Sequence, residues 1–361
     1  MRPINVLEYR ERAREALDAS AWDYYASGAR DEITLAENRE AFRRIRLRYR
    51  VLRDVSRCDP SLRLGGGELS MPVMVAPTAF HGLADPEGEV ATARAASDAG
   101  TVMVLSTLSN RRMEEVAEAG KGEVWFQLYV HRDREATRGL VRRAEEAGCS
   151  ALVLTVDAPV LGTRERDVRN EFRLPEHLDL ANLPPGLRRM PDAERESSLA
   201  AHVASRFDAS IGWEDVERLR RDTDLPLWVK GLVHPGDARL AVEHGVDGIV
   251  VSNHGGRQLD GAPASVDALP AVAAAVDGRV PVVMDGGVRR GADVVKALAR
   301  GADAVAVGRP VLWGLAADGR EGARHVLQLL REELKEAMAL CGCPTPAEIG
   351  PDLLFGEGPQ A

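Results

Sequence analysis

From Met71 onward the chain alternates between short apolar runs and longer stretches with helical spacing of apolar positions. The runs are M-P-V-M-V-A-P-T-A, T-V-M-V-L-S-T, V-W-F-Q-L-Y-V, A-L-V-L-T-V-D, L-P-L-W-V-K-G, G-I-V-V-S-N-H, V-P-V-V-M-D-G-G and D-A-V-A-V-G-R, eight in all. Each is nearly continuous in Val, Leu, Ile and Ala, as expected of a strand buried on both faces, and each ends on a polar residue or glycine. Strands of this kind alternating with helices predict an α/β protein with a parallel sheet under helices. Eight such units in one chain of 361 residues predict a closed (β/α)₈ TIM barrel. The expected organisation is a single domain over residues 1–361, with a helical extension at 1–70, the barrel at 71–313, and C-terminal helices and tail at 314–361.

The flanks fit that frame. Asn5 is placed to cap a helix starting at Val6, with Glu8 positioned to return a capping-box bond and apolar residues recurring through Ala16 and Leu17. Ser27-Gly28 then punctuates two helical stretches. Of the adjacent Tyr24 and Tyr25, which cannot share a helix face, one is expected to pack while the other points to a pocket or to solvent. The fourth and fifth runs are separated by an unusually long stretch. Its excess, about residues 164–213, is rich in Pro and charge and reads as a lid loop after strand 4. Near the C-terminus, Glu321 to Leu340 reads as an amphipathic helix with Val326, Leu329, Leu330, Leu334 and Leu340 on or near one face, followed by a frayed tail from Pro351 to Ala361.

The polar run ends carry the candidate chemistry. In such a barrel the C-terminal strand ends converge on one mouth. Collected there are Thr78; Ser106; Gln127 and Tyr129; Thr155 and Asp157; Lys230; Ser252 and His254; Asp285; and Gly308 with Arg309. The sixth run opens into S-N-H-G-G-R-Q-L-D, where His254 and Arg257 can aim a base and a carboxylate clamp at the same small molecule. The last two exits, D-G-G-V-R-R-G from Asp285 to Gly291 and G-R-P from Gly308 to Pro310, form a pair of glycine-rich turns with arginines. At that position in a barrel, such turns suit a phosphate.

Composition narrows the field. A formal charge of −9 argues against nucleic acid as the main partner, and no run of eighteen apolar residues suggests a membrane span. The N-terminal residues lack the apolar stretch of a secretion signal, so a cytoplasmic location is expected. Cys58, Cys149, Cys341 and Cys343 have no metal-site spacing and are read as reduced thiols; no metal role is expected. Of 47 basic residues only Lys121, Lys230, Lys296 and Lys335 are lysines, and Lys230 alone ends an apolar run. A compact, tunable ammonium at that strand end suggests a task that arginine does not perform.

Taken together, W-D-Y-Y-A-S-G-A, A-P-T-A, D-P-E-G-E, Q-L-Y, T-V-D-A-P, K-G, S-N-H-G-G-R-Q-L-D, D-G-G-V-R-R-G and G-R-P resemble, in the same order and over nearly the whole chain, the FMN-dependent 2-hydroxy acid oxidases and dehydrogenases. That family includes glycolate, lactate and mandelate oxidases. The resemblance implies FMN as cofactor. It casts His254 as the base for the substrate hydroxyl, with Asp157 stabilising the imidazolium. It casts Arg257 and Arg164, helped by Tyr24, as the carboxylate clamp, with Tyr129 facing the reacting oxygen and Lys230 beside the flavin ring. The flavin would be held by Pro77, Thr78 and Ala79, by Ser106, Gln127 and Thr155, and by Lys230 and Ser252. Its phosphate would lie on Asp285, Gly286, Gly287 and Arg289 with Gly308 and Arg309.

The departures refine the expected substrate. Leu108 stands where glycolate-oxidising relatives carry tryptophan, which implies room for a substrate larger than glycolate: lactate, or a medium-chain or aromatic 2-hydroxy acid. Phe80 and His81 are expected on the same wall. Without the apolar insertion of the membrane-bound relatives or a preceding cytochrome domain, the expected electron acceptor is molecular oxygen, giving hydrogen peroxide. A soluble quinone acceptor, an FMN-dependent isomerisation and a flavin barrel without turnover are the alternatives. The resemblance also implies a homo-oligomer, tetramer or octamer.

Overall fold

The computed structural model describes residues 1–121, 124–191 and 197–356. Eight strands form one closed parallel barrel: β1 (Val73–Val75), β2 (Met103–Ser106), β3 (Val124–Leu128), β4 (Ala151–Thr155), β5 (Leu227–Leu232), β6 (Gly248–Val251), β7 (Val282–Asp285) and β8 (Ala304–Val307). β8 closes onto β1 with Val305 opposite Val73. Every apolar run of the sequence became a strand of the (β/α)₈ barrel, buried on both faces because side chains alternate between the barrel interior and the helical layer.

One end of the barrel is packed shut. Trp125 and Trp228 sit with ring centroids 4.7 Å apart among Val153, Val250 and Ala304. Small residues make room for these rings: a Cβ on Gly248 would lie 2.3 Å from the Trp228 indole. The hairpin Leu62–Leu64/Gly67–Leu69, unanticipated within the helical extension, adds Leu64 and Leu69 to this plug.

The other end is covered by the N-terminal helices and by residues 164–213. Asn5 caps helix Val6–Ala16 through the Leu7 and Glu8 amides, and Glu8 reaches back to Ile4 N and Asn5 Nδ2. Helix Ala19–Ala26, capped by Asp18, carries both tyrosines to the barrel mouth. Neither points to solvent: Tyr25 Oη donates to the Phe80 carbonyl at 2.5 Å, and Tyr24 stacks on Phe172 at 4.5 Å.

The 164–213 stretch is more structured than a polar lid. It contains helices Glu165–Arg169 and Ser198–Arg206 and buries Phe172, Leu180, Leu183, Leu199, Val203 and Phe207. Part of the charged run used to recognise it, 192–196, lies outside the described residues. The C-terminal helix is Arg309–Cys341, kinked at Asp318 and Gly319, so the expected boundary at 313/314 falls inside it. Val326, Leu329, Leu330 and Leu334 are buried, but Leu340 is 68% exposed, because it lies at the edge of the stripe in the last turn while Met338 and Cys341 fill the centre. Nor is the tail frayed as far as Phe355. Leu353 and Leu354 are buried, Leu354 bridges to Leu47, and Phe355 N donates to Arg46 O at 2.9 Å. Residues 357–361 of that tail lie outside the described residues.

Candidate active site

At the open end a cleft is lined by residues from all eight strand ends or the loops that follow them, together with Tyr24, Tyr25 and the 164–213 cap. Among them is His254, paired with Asp157 from a strand that is not a neighbour; Asp157 itself does not line the cleft. His254, three residues beyond β6, adopts a left-handed backbone (φ +58°), and its Nδ1 lies 2.8 Å from Oδ1 of Asp157, two residues beyond β4. Burial pushes Asp157 up, but the His254 and Lys230 charges outweigh it and hold the carboxyl below its usual range. Burial lowers His254, against the pull of Asp157. A neutral imidazole whose Nδ1–H donates to a carboxylate leaves Nε2 free to take a proton.

Beside this pair lie two buried guanidiniums. Arg257 stands over the Tyr24 ring at 5.0 Å and Arg164 at 5.9 Å. Arg257 spends Nη1 on the Tyr24 and Ser27 carbonyls, at 2.7 and 3.0 Å. Arg164 is buried with Nε and Nη1 unpartnered, and Asp167 is 3.8 Å away. Burial and the neighbouring Arg164 bring Arg257 down to about 10. Two buried guanidiniums this poorly neutralised invite a carboxylate.

Lys230, buried within β5 two residues before its end, donates to Ser252 Oγ at 3.0 Å and lies 3.4 Å from Asp285 Oδ2. Burial opposes its charge, but Asp285 and Asp157 prevail and raise its pKa. Around it is a row of buried polar atoms with no partner: Gln127 Nε2, Thr155 Oγ1 and Asp285 Oδ1. Gln127 is oriented by Ser106 Oγ and Thr107 N, both donating to its Oε1, so its Nε2 is left over.

The turn after β7 makes the far end of the cleft. Gly287 sits at φ +87°, and a Cβ there would fall 1.9 Å from the Asn38 carbonyl oxygen, so only glycine permits this close approach. Arg289 stacks over Trp313 at 4.8 Å with Nε buried and unpartnered; burial and nearby Arg39 bring it down to about 9. Opposite, Gly308 and Arg309 start the C-terminal helix; Pro310 has no N–H and Val311 N already donates to Gly308 O at 3.0 Å, so the backbone donors this turn offers are the Gly308 and Arg309 amides.

The structure therefore gathers most of the expected residues at one cleft, Arg309 among them: its Nε, Nη1 and Nη2 each donate to a carbonyl, of Tyr25, Gly255 and Ser27 respectively, and one N–H on each Nη remains. Two expectations are corrected. Ser252 does not line the cleft but stands behind Lys230. Phe80 and His81 also lie outside the lining. Phe80 packs against Tyr24, and His81 is enclosed between Thr78 Oγ1 and Thr92 Oγ1 and pushed down to about 3 by burial.

Leu108 is buried and lines the cleft, as do Pro77, Thr78, Ala79, Gly286 and Tyr129. Sequence reasoning missed Leu161, Leu199, Val203 and Phe207, which complete an apolar wall beside Leu108. The spacing of 199, 203 and 207, four residues apart, was the available signal. Phe207 stacks on Tyr129 at 4.5 Å, and burial raises the Tyr129 hydroxyl pKa.

The residues present suit FMN. Unsatisfied donors and acceptors face the space for a heteroaromatic ring, Lys230 supplies a buried cation, and the glycine turn, Arg289 and a helix N-terminus suit a phosphate. The sequence profile described as FMN-dependent dehydrogenase matches residues 13–355. An L-lactate oxidase of Nostoc sp. (strain PCC 7120) is 54% identical, covering 98% of each chain. Glycolate oxidase 3 of Oryza sativa subsp. indica is also 54% identical, covering 96% of this chain and 94% of its own. A solved structure of mandelate oxidase with (S)-4-hydroxymandelic acid superposes with a TM-score of 0.93 at 45% identity, covering 96% of this chain and 97% of that one. Matched over nearly its whole length, the chain is a member of the FMN-dependent dehydrogenases, with FMN as its cofactor.

Proposed function

We propose that the protein converts an (S)-2-hydroxy acid larger than glycolate, with oxygen, to the 2-oxo acid and hydrogen peroxide. The observation that carries this reading is the juxtaposition of three elements. A neutral His254 backed by Asp157 lies beside two undercommitted arginines, and both face an apolar wall. Glycolate has no side chain to fill that wall; lactate and longer or aromatic acids do.

In this reading Arg164 and Arg257 hold the substrate carboxylate, with Tyr24 between them. His254 Nε2 takes the hydroxyl proton, and Asp157 stabilises the resulting imidazolium. Tyr129, fixed by Phe207, donates to the substrate oxygen. When bound, FMN supplies the acceptor for the hydrogen and electron pair leaving the substrate α-carbon. Gln127, Thr155 and Lys230 would hold its ring, the 77–79 backbone its side, and Gly286, Gly287, Arg289, Gly308 and the Arg309 amide its phosphate.

Among the described residues no helix is long and apolar enough to cross a membrane. A cytoplasmic homo-oligomer, tetramer or octamer, belongs to the same proposal and is checked by light scattering and fractionation.

The test is anaerobic addition of glycolate, lactate, mandelate and medium-chain 2-hydroxy acids to the yellow holoenzyme, followed by admission of air. Bleaching by the larger acids, with one peroxide formed per oxo acid, is expected. Exclusive use of glycolate would overturn the substrate assignment, and reoxidation by quinone but not by oxygen would overturn the acceptor.

A further inference from the structure

The two halves of the proposed catalytic centre come from strands that share no hydrogen bonds. Asp157 and Arg164 follow β4, whereas His254 and Arg257 follow β6, and β5 lies between them. Sheet register therefore constrains the Asp157–His254 distance and the spacing of the two arginines only indirectly, through β5, and all four residues lie in loops beyond the paired positions. Besides the His254–Asp157 contact itself, the Gln258 side chain spans the gap. Gln258 Nε2 donates to the Asp157 carbonyl at 2.9 Å and to the Val160 carbonyl at 2.8 Å, while its Oε1 accepts from Gly162 N at 3.0 Å. The fit is close: a Cβ on Gly162 would lie 2.5 Å from the Arg257 and Gln258 carbonyl oxygens.

We propose that Gln258 is a positioning residue, which pins the 157–164 segment to the 254–257 turn and so sets both the His254–Asp157 contact and the Arg164–Arg257 spacing. The assignment rests on the roles given above to those four residues. Two features separate it from a purely structural tie. Every group that Gln258 bonds belongs to the segment between the two functional residues, and Val160 at its tip is 66% exposed, so water can replace the lost bonds without loss of the fold. Of the flavin-facing residues only Thr155 shares a strand with the pinned segment, and it lies within β4, ahead of that segment; the others sit on other strands and stay in place.

The experiment uses the FMN-loaded enzyme and Gln258→Met, which keeps length but removes all three bonds. The titration of His254 is followed by NMR of ¹⁵N-labelled histidine. Because Asp157 is what pulls the imidazole pKa upward against burial, a loosened contact moves the midpoint to lower pH; an unchanged or raised midpoint overturns the proposal. In parallel, the rate of anaerobic flavin reduction should fall by up to about 10²-fold, as a misplacement near 1 Å does. In an Asp157→Asn background the same substitution should cost little more, and an equal loss in both backgrounds would also overturn it. Gly162→Ala, which pushes the segments apart from the other side, should shift the midpoint in the same direction and serves if Gln258→Met does not fold. A wild type that no 2-hydroxy acid reduces, with the expected difference in titration, would sink the reaction assignment and leave Gln258 as the pin of the histidine–aspartate pair.

Discussion

The two ends of this barrel are built from the same eight strands and have opposite characters. At the closed end Trp125, Trp228, Leu64 and Leu69 interlock, with small residues opposite large ones. At the open end Gln127, Thr155, Asp157, Arg164, Asp285 and Arg289 all keep buried polar atoms without partners. Unpaired buried polar groups each cost on the order of 1–3 kcal/mol. The packed end therefore stabilises the fold, while the open end holds polar groups that, in the proposed reading, the cofactor and substrate satisfy. The difference points to function without reference to any relative: among the described residues, unpartnered buried polar atoms converge on the open end, whereas the plug contributes Trp228 Nε1 alone.

Substitutions at the two ends should consequently separate activity from stability. The largest effect is expected at the open end. His254→Ala should retain FMN while anaerobic reduction falls by 10²–10⁴-fold, the usual scale for a general base; near-normal turnover would refute its role as base. The same residue sets the pH dependence. Its pKa is lowered from 6.5, so the neutral base persists to lower pH than in a free imidazole, and the midpoint of the acid-side decline in the wild-type rate should fall below pH 6.5. Next, Trp228→Ala at the closed end should lower stability by about 3–5 kcal/mol in denaturant titrations, with kcat of the folded fraction unchanged. A fall in kcat would show that the two ends are coupled. Arg257→Lys should raise KM more than it lowers kcat, because an ammonium cannot reproduce the fork that also ties down the Tyr24 and Ser27 carbonyls. The smallest change, Leu108→Trp, fills the apolar wall and should shift the kcat/KM ratio toward glycolate by roughly tenfold, the worth of 1–3 kcal/mol of pocket volume.

Much of this was legible in the chain. Apolar runs at regular intervals could be read as barrel strands because burial on both faces leaves a continuous hydrophobic signature. The polar residues ending those runs pointed to one mouth because all the strands run parallel. Less legible was what depended on contacts distant in sequence. The hairpin plug has only three residues per strand and no strong pattern of its own. The 164–213 stretch looked polar because its buried residues, from Phe172 to Phe207, are scattered among charges and turns. Arg309 reads from sequence as a phosphate ligand beside glycines, but no local spacing reveals that part of its fork is also tied to the carbonyls of Tyr25, Ser27 and Gly255.

The sequence by itself determined the barrel, the polar strand exits and the chemical identities of His254, Asp157, Lys230 and the two clamp arginines, because these follow from periodicity and residue type. The tertiary structure decided how those residues meet. Asp157 reaches His254 across an intervening strand, Gln258 bridges the same gap, and Leu199, Val203 and Phe207 descend from the cap to make the apolar wall. The physical reason is that local pattern specifies which face of an element is buried, whereas distances between non-adjacent elements are set by packing and by long-range hydrogen bonds.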